Sequence, residues 1–313
     1  MRKIALAALA TTAIATSLLA TSAYAKELKV GVSMAAFDDN FLTVLRKGME
    51  SYADQAGVSL QVEDAKNEVG QQLNQIQNFI ASGVDAIIVN PVDTDATISM
   101  SDDAAAAGIP LVYVNRQPIN LEMLPDNQSF VGSNEVDSGT QETKEVCRLL
   151  GGKGKIVVMM GELSNQAAIQ RTKDVHDVIA TPECSGIEVV EEQTAEWSRT
   201  KGNDLMTNWL SAGLQFDAVV SNNDEMAIGA IQALKAAKRP MDSVIVAGVD
   251  ATADALAAMK AGDLDVTVFQ DAAGQGRGAI DAAIKLAQGK DVDQAVWVPF
   301  KLVIPSNMSE FMN

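Results

Sequence analysis

The sequence predicts an α/β protein of two doubly wound lobes, each a parallel β-sheet covered by helices on both faces. Short apolar runs alternate with amphipathic stretches and recur roughly every 25 to 30 residues, the length of a βα unit. The runs AIIV at 86–89 and LVYV at 111–114 are continuously apolar, as parallel strands covered on both faces are. The segment 83–95 also resembles 216–224, since in both an apolar strand ends in Asn and a polar turn before a helix.

The individual elements follow from the spacing of apolar residues. The first helix places Leu42, Leu45 and Met49 on one face with charged residues opposite, and Gly57 ends it. The predicted strands are 29–34, 59–64, 86–90, 111–115, 155–160, 187–191, 218–221 and 244–248. The predicted helices are 41–56, 71–82, 97–107, 138–150, 167–179, 200–212 and 226–236.

The N-terminus has the pattern of a secretory signal peptide. Arg2 and Lys3 precede an apolar run at 4–19, and Ala23-Tyr24-Ala25 provides the small residues that signal peptidase accepts. The run is shorter than the roughly 20 residues of a membrane-spanning helix. We therefore predict that residues 1–25 are a cleaved signal peptide and that the remaining chain is secreted.

Charge and cysteine content restrict the partners and the chemistry. The formal net charge of the 313 residues is −17, without a basic cluster, which argues against binding to nucleic acid or to an anionic membrane. The two cysteines, Cys147 and Cys184, are candidates for a disulfide in an oxidising compartment. Two buried free thiols are the alternative.

Polar and aromatic side chains follow successive predicted strands, where parallel sheets bind ligands. Carboxylates accept hydroxyl protons, Arg and Asn donate in planar forks that match vicinal diols, and aromatic faces cover the C–H faces of a ring. These residues lie at 37–41, 115–116, 165–166, 171, 196–197, 222–224, 250 and 270–271. The set suits a neutral polyol. Individually, an Asp or Asn here is commonly a helix cap, Arg116 an ordinary ion-pair partner, and Trp197 a core residue.

Five motifs taken together resemble the periplasmic sugar-binding proteins related to ribose-binding protein. They are NPVDTDA at 90–96, NRQ at 115–117, AAIQR at 167–171, NDEMAIGA at 223–230 and AGVD at 247–250. The resemblance implies two Rossmann-like lobes joined by a three-strand hinge, with crossings near 131–134, 270–272 and 298–302. One lobe would comprise 26–132 plus 271–299, and the other 133–270 plus 300–313.

The resemblance also implies ligand-binding residues between the lobes. Those in the first lobe are Asp39, Phe41, Asn115 and Arg116, with Phe37 as a further stacking ring. Those in the second lobe are Arg171, Trp197, Asn223, Asp250 and Gln270. The family's usual Asn-Pro-Phe-Phe turn is replaced by a longer loop, its usual Phe by Trp197, and its usual Asp by Asn115.

These departures make ribose doubtful as the ligand. The segments FDDNF at 37–41, YVNRQP at 113–118 and GELSNQ at 161–166 are most similar to the inositol-binding branch. We favour myo-inositol, with ribose, another pentose or hexose, or an inositol derivative as alternatives. The resemblance implies a monomer in the periplasm that closes on its ligand and then docks on the permease of an ABC importer. Presentation to a chemoreceptor or sensor kinase remains open.

The sequence has two features that could indicate a catalytic or cofactor site, a glycine-rich segment and a single histidine. Gly274-Gln-Gly276-Arg-Gly-Ala279 resembles a dinucleotide fingerprint, but small residues that allow close helix packing explain it better. His176 lies mid-helix among charged residues, and a single His with two Cys that are candidates for a disulfide gives no zinc site. A repressor effector domain would need a basic helix-turn-helix at the N-terminus. We therefore expect a binding protein without a cofactor or metal, and not an enzyme.

Overall fold

The computed structural model describes residues 27–312. The predicted signal peptide at 1–25 lies outside this range. Among the described residues, no helix has both the length and the apolar character to cross a membrane.

The first sheet has six parallel strands. Helices pack against both of its faces, and the apolar core of the first lobe lies between the sheet and these helices. Its strands are β1 (Lys29–Met34), β2 (Ser59–Asp64), β3 (Ala86–Val89), β4 (Leu111–Val114), β5 (Gln128–Gly132) and β11 (Ala295–Trp297). Their order across the sheet is β11-β5-β4-β3-β1-β2. The helices are α1 (Asn40–Ala56), α2 (Val69–Ser82), α3 (Thr97–Ala107) and α9 (Ala272–Ala287).

Helix α9 packs very closely against α1. A Cβ atom on Gly276 would lie 2.7 Å from the Leu45 carbonyl oxygen, so only glycine allows this approach. The glycine-rich segment 274–279 therefore serves helix packing, as predicted from the sequence.

The second sheet is built in the same way. Strands β6 (Lys153–Met160), β7 (Gly186–Thr194), β8 (Ala218–Ser221) and β9 (Ile245–Ala247) are parallel, in the order β7-β6-β8-β9. The antiparallel pair β10 (Thr267–Phe269) and β12 (Lys301–Val303) adjoins it through single bridges at Ala247–Val266 and Asp250–Phe269. The helices are α4 (Glu135–Leu150), α5 (Gln166–Ile179), α6 (Arg199–Ser211), α7 (Asp224–Ala236) and α8 (Ala253–Ala261).

The chain passes between the two sheets three times, at 133–134, 270–271 and 298–300. These segments coincide with the predicted hinge crossings, and the two-lobed parallel α/β fold is confirmed. The predicted lobe boundaries, 26–132 plus 271–299 for one lobe and 133–270 plus 300–313 for the other, stay a prediction. They state which residues move as one body when the cleft opens and closes.

Some element boundaries differ from the prediction. Helix α4 begins at Glu135 instead of 138, because the Asn134 side chain caps it by accepting from the Val136 amide at 3.4 Å. Strand β7 extends to Thr194, and α8 was not assigned from the sequence.

The Cys147–Cys184 bridge is present, with 5.8 Å between the Cα atoms. It joins the end of α4 to the loop before β7.

Candidate ligand-binding site

A cavity lies between the lobes, at the carboxyl ends of strands from both sheets. Its empty volume is about 420 Å³, which includes the solvent at its mouth. The lining is mostly polar, with two aromatic rings. It comprises Asp39, Phe41, Leu42, Asn115, Arg116, Glu135, Asn165, Ala167, Arg171, Trp197, Asn223, Asp250 and Gln270.

Two lining residues also cap helices. Asp39 accepts from the Leu42 amide at 2.7 Å at the start of α1, and Asn223 accepts from the Met226 amide at 3.0 Å at the start of α7. The helix caps expected at strand ends are therefore real, and capping fixes these side chains at the cavity. The Asn223 amide nitrogen also donates to the Trp197 carbonyl at 3.3 Å.

Arg171 makes three hydrogen bonds within the second lobe. Its Nε donates to Glu135 Oε2 at 2.7 Å, its Nη1 to the Asn222 carbonyl at 2.7 Å, and its Nη2 to Gln270 Oε1 at 3.5 Å. Burial acts to lower the Arg171 pKa, but the charge and hydrogen bond of Glu135, with the charge of Asp250, raise it overall. The side chain is thus a fixed cation at the centre of the second lobe's half of the site.

Arg116 is the cation of the first lobe. Its Nη1 donates to the carbonyls of Pro91 at 2.8 Å and Val92 at 3.4 Å. Among residues 27–312, no carboxylate forms an ion pair with it. Burial lowers its pKa, opposed by the charges of Glu162 and Asp39. The N–H groups that bind no carbonyl can donate to a ligand.

Asp250 is a buried carboxyl held by an unusual backbone. It is 6 % exposed, and its φ of 125° is one that side-chain-bearing residues rarely adopt. Backbone bonds to Val268 and Gln270 hold it there. Burial raises its pKa well above the ordinary value; the Arg171 charge opposes this rise, and nearby carboxylates add to it. Within the described chain, no donor forms a hydrogen bond with its carboxyl group, which therefore remains available to a ligand.

Trp197 provides a flat wall. Its Nε1 donates to Asn165 Oδ1 at 2.9 Å. A Cβ on Gly161 would lie 2.2 Å from the indole, so glycine at this position lets the ring lie against the backbone. Phe41, 9 % exposed, contributes the second ring, from the first lobe.

The lobes contact each other directly around the cavity. Asn165 Nδ2 donates to the Val92 carbonyl at 2.9 Å, and the Thr94 amide donates to the Ser164 carbonyl at 3.1 Å. Asn40 Nδ2 donates to Glu225 Oε1 at 2.8 Å. Since each bond joins a first-lobe residue to a second-lobe residue, the structure is a closed form.

The charges of the lining are mixed. The carboxyl groups of Asp39, Glu135 and Asp250 face the guanidinium groups of Arg116 and Arg171. Hydrogen-bonding groups of both kinds, with two rings, suit a neutral polyhydroxylated ligand better than a phosphate.

Comparison with known proteins agrees with this geometry. Residues 30–291 match the family model described as the periplasmic binding protein domain. A Rhizobium meliloti protein named as a candidate rhizopine-binding protein is 68% identical, with 90% of this chain and 92% of that protein covered. The chain belongs to the periplasmic binding protein family. It is accordingly a solute-binding protein and not an enzyme.

Solved structures place the fold in the same family. An ABC transporter solute-binding protein from Bacillus halodurans, with bound myo-inositol, is 43% identical with a TM-score of 0.86, covering 91% of this chain and 97% of that one. The Caulobacter myo-inositol binding protein, bound to myo-inositol, is 29% identical with a TM-score of 0.84, covering 90% and 95%.

Nine of the ten residues predicted to bind ligand line the cavity. The exception is Phe37, which packs against the first-lobe core with the Arg46 guanidinium 4.5 Å from its ring centre. Both rings were predicted to bind the ligand, and the loop after β1 places Phe41, but not Phe37, on the cavity lining.

Two polar residues of the lining were not assigned. Asn165 was noted as a strand-end residue only. Glu135 was missed because the helix was predicted to start at 138, although an acidic residue just after β5 fits the pattern of the other strand ends.

Proposed function

We propose that this chain is a periplasmic binding protein of an ABC importer, that it closes on a cyclic polyol, and that myo-inositol is the favoured ligand. After export and removal of residues 1–25, the monomer would carry its ligand to the membrane permease. The same closed form could also be presented to a chemoreceptor or sensor kinase.

One observation carries the polyol assignment. The Asp250 carboxyl group is buried beside Arg171 and accepts no hydrogen bond from any described residue. A buried acceptor without a donor costs free energy, which a ligand hydroxyl offsets. Trp197 and Phe41 would cover the C–H faces of the ring, and Arg116 and Asn115 would bind hydroxyls from the first lobe.

Two related ligands compete within this assignment. Both myo-inositol-bound neighbours match over nine-tenths of this chain, which supports myo-inositol. The 68% identity to the candidate rhizopine-binding protein supports rhizopine as the second candidate. Both would occupy the same cavity.

A calorimetric titration of the mature chain, freed of carried-over ligand, tests the proposal. The panel comprises myo-inositol, rhizopine, ribose and xylitol, with thermal shift as a second readout. We expect myo-inositol to bind most tightly and to raise the melting temperature, since at about 100 times Kd a ligand stabilises the native state by roughly 2.7 kcal/mol. Tighter binding of rhizopine would select the second candidate. Failure of every member would contradict the polyol assignment.

A further inference from the structure

We propose that Glu135 is a ligand-binding residue, which accepts a ligand hydroxyl at Oε1 while Oε2 positions Arg171. The proposal deepens the assignment of a polyol ligand and rests on it.

The two oxygens of this carboxylate have different surroundings. Glu135 Oε2 accepts from Arg171 Nε at 2.7 Å and from Ser138 Oγ at 3.0 Å. Glu135 Oε1 is buried and has no hydrogen-bond donor among residues 27–312. The residue is 2 % exposed and lines the cavity. The carboxylate is shielded from bulk solvent in the closed form, and a hydroxyl of the cavity's occupant can supply the missing donor.

A complementary group lies on the other side of Arg171. Gln270 Oε1 faces Arg171 Nη2 at 3.5 Å, and Gln270 Nε2 is a buried donor without an acceptor in the described chain. One guanidinium is thus flanked by an unmatched acceptor and an unmatched donor, both on the cavity lining. Hydroxyl groups donate and accept, so neighbouring hydroxyls of a polyol can satisfy both.

Location distinguishes Glu135 from the other buried acids with an unmatched oxygen. Glu142 Oε2 and Asp174 Oδ2 also have no partner in the described chain, but neither residue lines the cavity. Of these three oxygens, only Glu135 Oε1 belongs to a residue of the cavity lining.

The position also connects binding to closure. Glu135 directly follows the first passage between the sheets at 133–134, and Gln270 lies in the second at 270–271. A ligand bonded to both would tie two of the connecting segments together in the closed arrangement.

The test uses Glu135→Gln and myo-inositol analogues in which one hydroxyl at a time is replaced by fluorine, which cannot donate. In the variant, Arg171 and Ser138 keep the amide oxygen facing them, so the NH₂ group replaces Oε1. At one ring position, we expect fluorine to weaken wild-type binding by about 10-fold or more. The variant should lose much less at that position, and both proteins should lose equally at the others.

Glu145→Gln is the matched control. Glu145 lies on the same helix, is also nearly buried, and pairs with Arg148 at 2.7 Å outside the cavity. Its fluorine profile should equal that of the wild type. Thermal melting of the ligand-free proteins checks that each variant folds. If Glu135→Gln does not fold, the second variant is Glu135→Asp, whose shorter side chain withdraws the carboxylate from the ligand. It should also lose the discrimination at the one position.

Parallel profiles for the wild type and the Glu135 variant at every ring position would overturn the proposal. Wild-type binding of myo-inositol would then leave the proposed function standing. If another polyol of the panel binds more tightly, its fluorinated analogues replace those of myo-inositol. Absence of any wild-type polyol binding would instead contradict the proposed function, and the role of Glu135 with it.

Discussion

The indole Nε1 of Trp197 donates to Asn165 Oδ1 at 2.9 Å, and the amide of Asn165 in turn donates to the Val92 carbonyl across the cleft at 2.9 Å. The orientation of the stacking ring is therefore tied to the approach of the two lobes. We expect closure of the cleft to align Asn165, which holds the indole against Gly161.

The first prediction concerns this indole. Trp197→Phe keeps an aromatic face but removes the N–H, which leaves Asn165 Oδ1 without its donor. We expect calorimetry to show roughly 5-fold weaker ligand binding, the value of one hydrogen bond, with little change in the melting temperature of the ligand-free protein. Trp209→Phe is the control, because Trp209 is 6 % exposed and lies in the second-lobe core. This substitution should lower the stability of the protein and leave its affinity for the ligand unchanged. Equal affinity for wild type and Trp197→Phe would argue against the aligned ring.

The second prediction concerns the pH dependence of binding. Burial raises the Asp250 pKa, so this carboxyl group ionises at higher pH than an ordinary Asp. The ionised form is the better acceptor of hydroxyl protons, and affinity should therefore rise as pH rises through that pKa. Asp250→Asn should bind roughly 10-fold or more weakly and lose this part of the pH dependence.

Asp254→Asn is the control, because Asp254 is exposed on α8 and pairs with Arg199 outside the cavity. Burial also raises the pKa of Asp39. The Asp250 variant should therefore keep a smaller dependence of affinity on pH. An unchanged slope would show that Asp250 does not accept from the ligand.

A third prediction separates closure from ligand contact. Asn40 lies outside the cavity lining, and its Nδ2 donates to Glu225 Oε1 of the other lobe at 2.8 Å. Asn40→Ala should raise the free energy of the closed form only, and weaken binding roughly 2- to 10-fold. Calorimetry gives the affinity, and small-angle scattering gives the fraction closed at limiting ligand. Asn203→Ala is the control, because Asn203 donates to the Gly229 carbonyl within the same lobe. It should change neither the affinity nor the fraction closed.

The fourth prediction concerns stability away from the site. Asp174 is 1 % exposed, its Oδ1 accepts from Gln170 at 2.7 Å, and burial raises its pKa to about 6. The unfolded chain ionises near pH 4, so between about pH 4 and pH 6 the folded state holds a proton that the unfolded state has lost. Stability contributed by this group is therefore present below about pH 4 and lost as pH rises through about 6.

Asp174→Asn mimics the protonated form and should remove this loss. Urea unfolding should show a gain of about 1–2 kcal/mol near pH 8 and little change near pH 4. Asp177→Asn, on the exposed face of the same helix, should give no comparable gain. A gain of equal size at both pH values would contradict the titration and indicate a packing effect.

The sequence by itself determined the fold class, because continuous apolar runs such as 86–89 and 111–114 alternate with amphipathic stretches at the spacing of βα units, as in parallel sheets covered on both faces. It also determined which residues could reach a common edge: Asp39, Asn115, Asn223 and Asp250 all follow strands, and parallel strands end on one side. The sequence allowed either a disulfide or two free thiols at Cys147 and Cys184. The tertiary structure decided for the disulfide, with 5.8 Å between the two Cα atoms.

Only the tertiary structure decided which of these side chains face the cavity and what each lacks. Phe37 and Phe41 are equivalent as strand-end rings, and the path of the loop before α1 selects Phe41. Glu135 is an unremarkable acid in the sequence. Its Oε2 bonds to Arg171 while its Oε1 has no partner among the described residues, and Arg171 is so distant along the chain that the pair leaves no local pattern in the sequence.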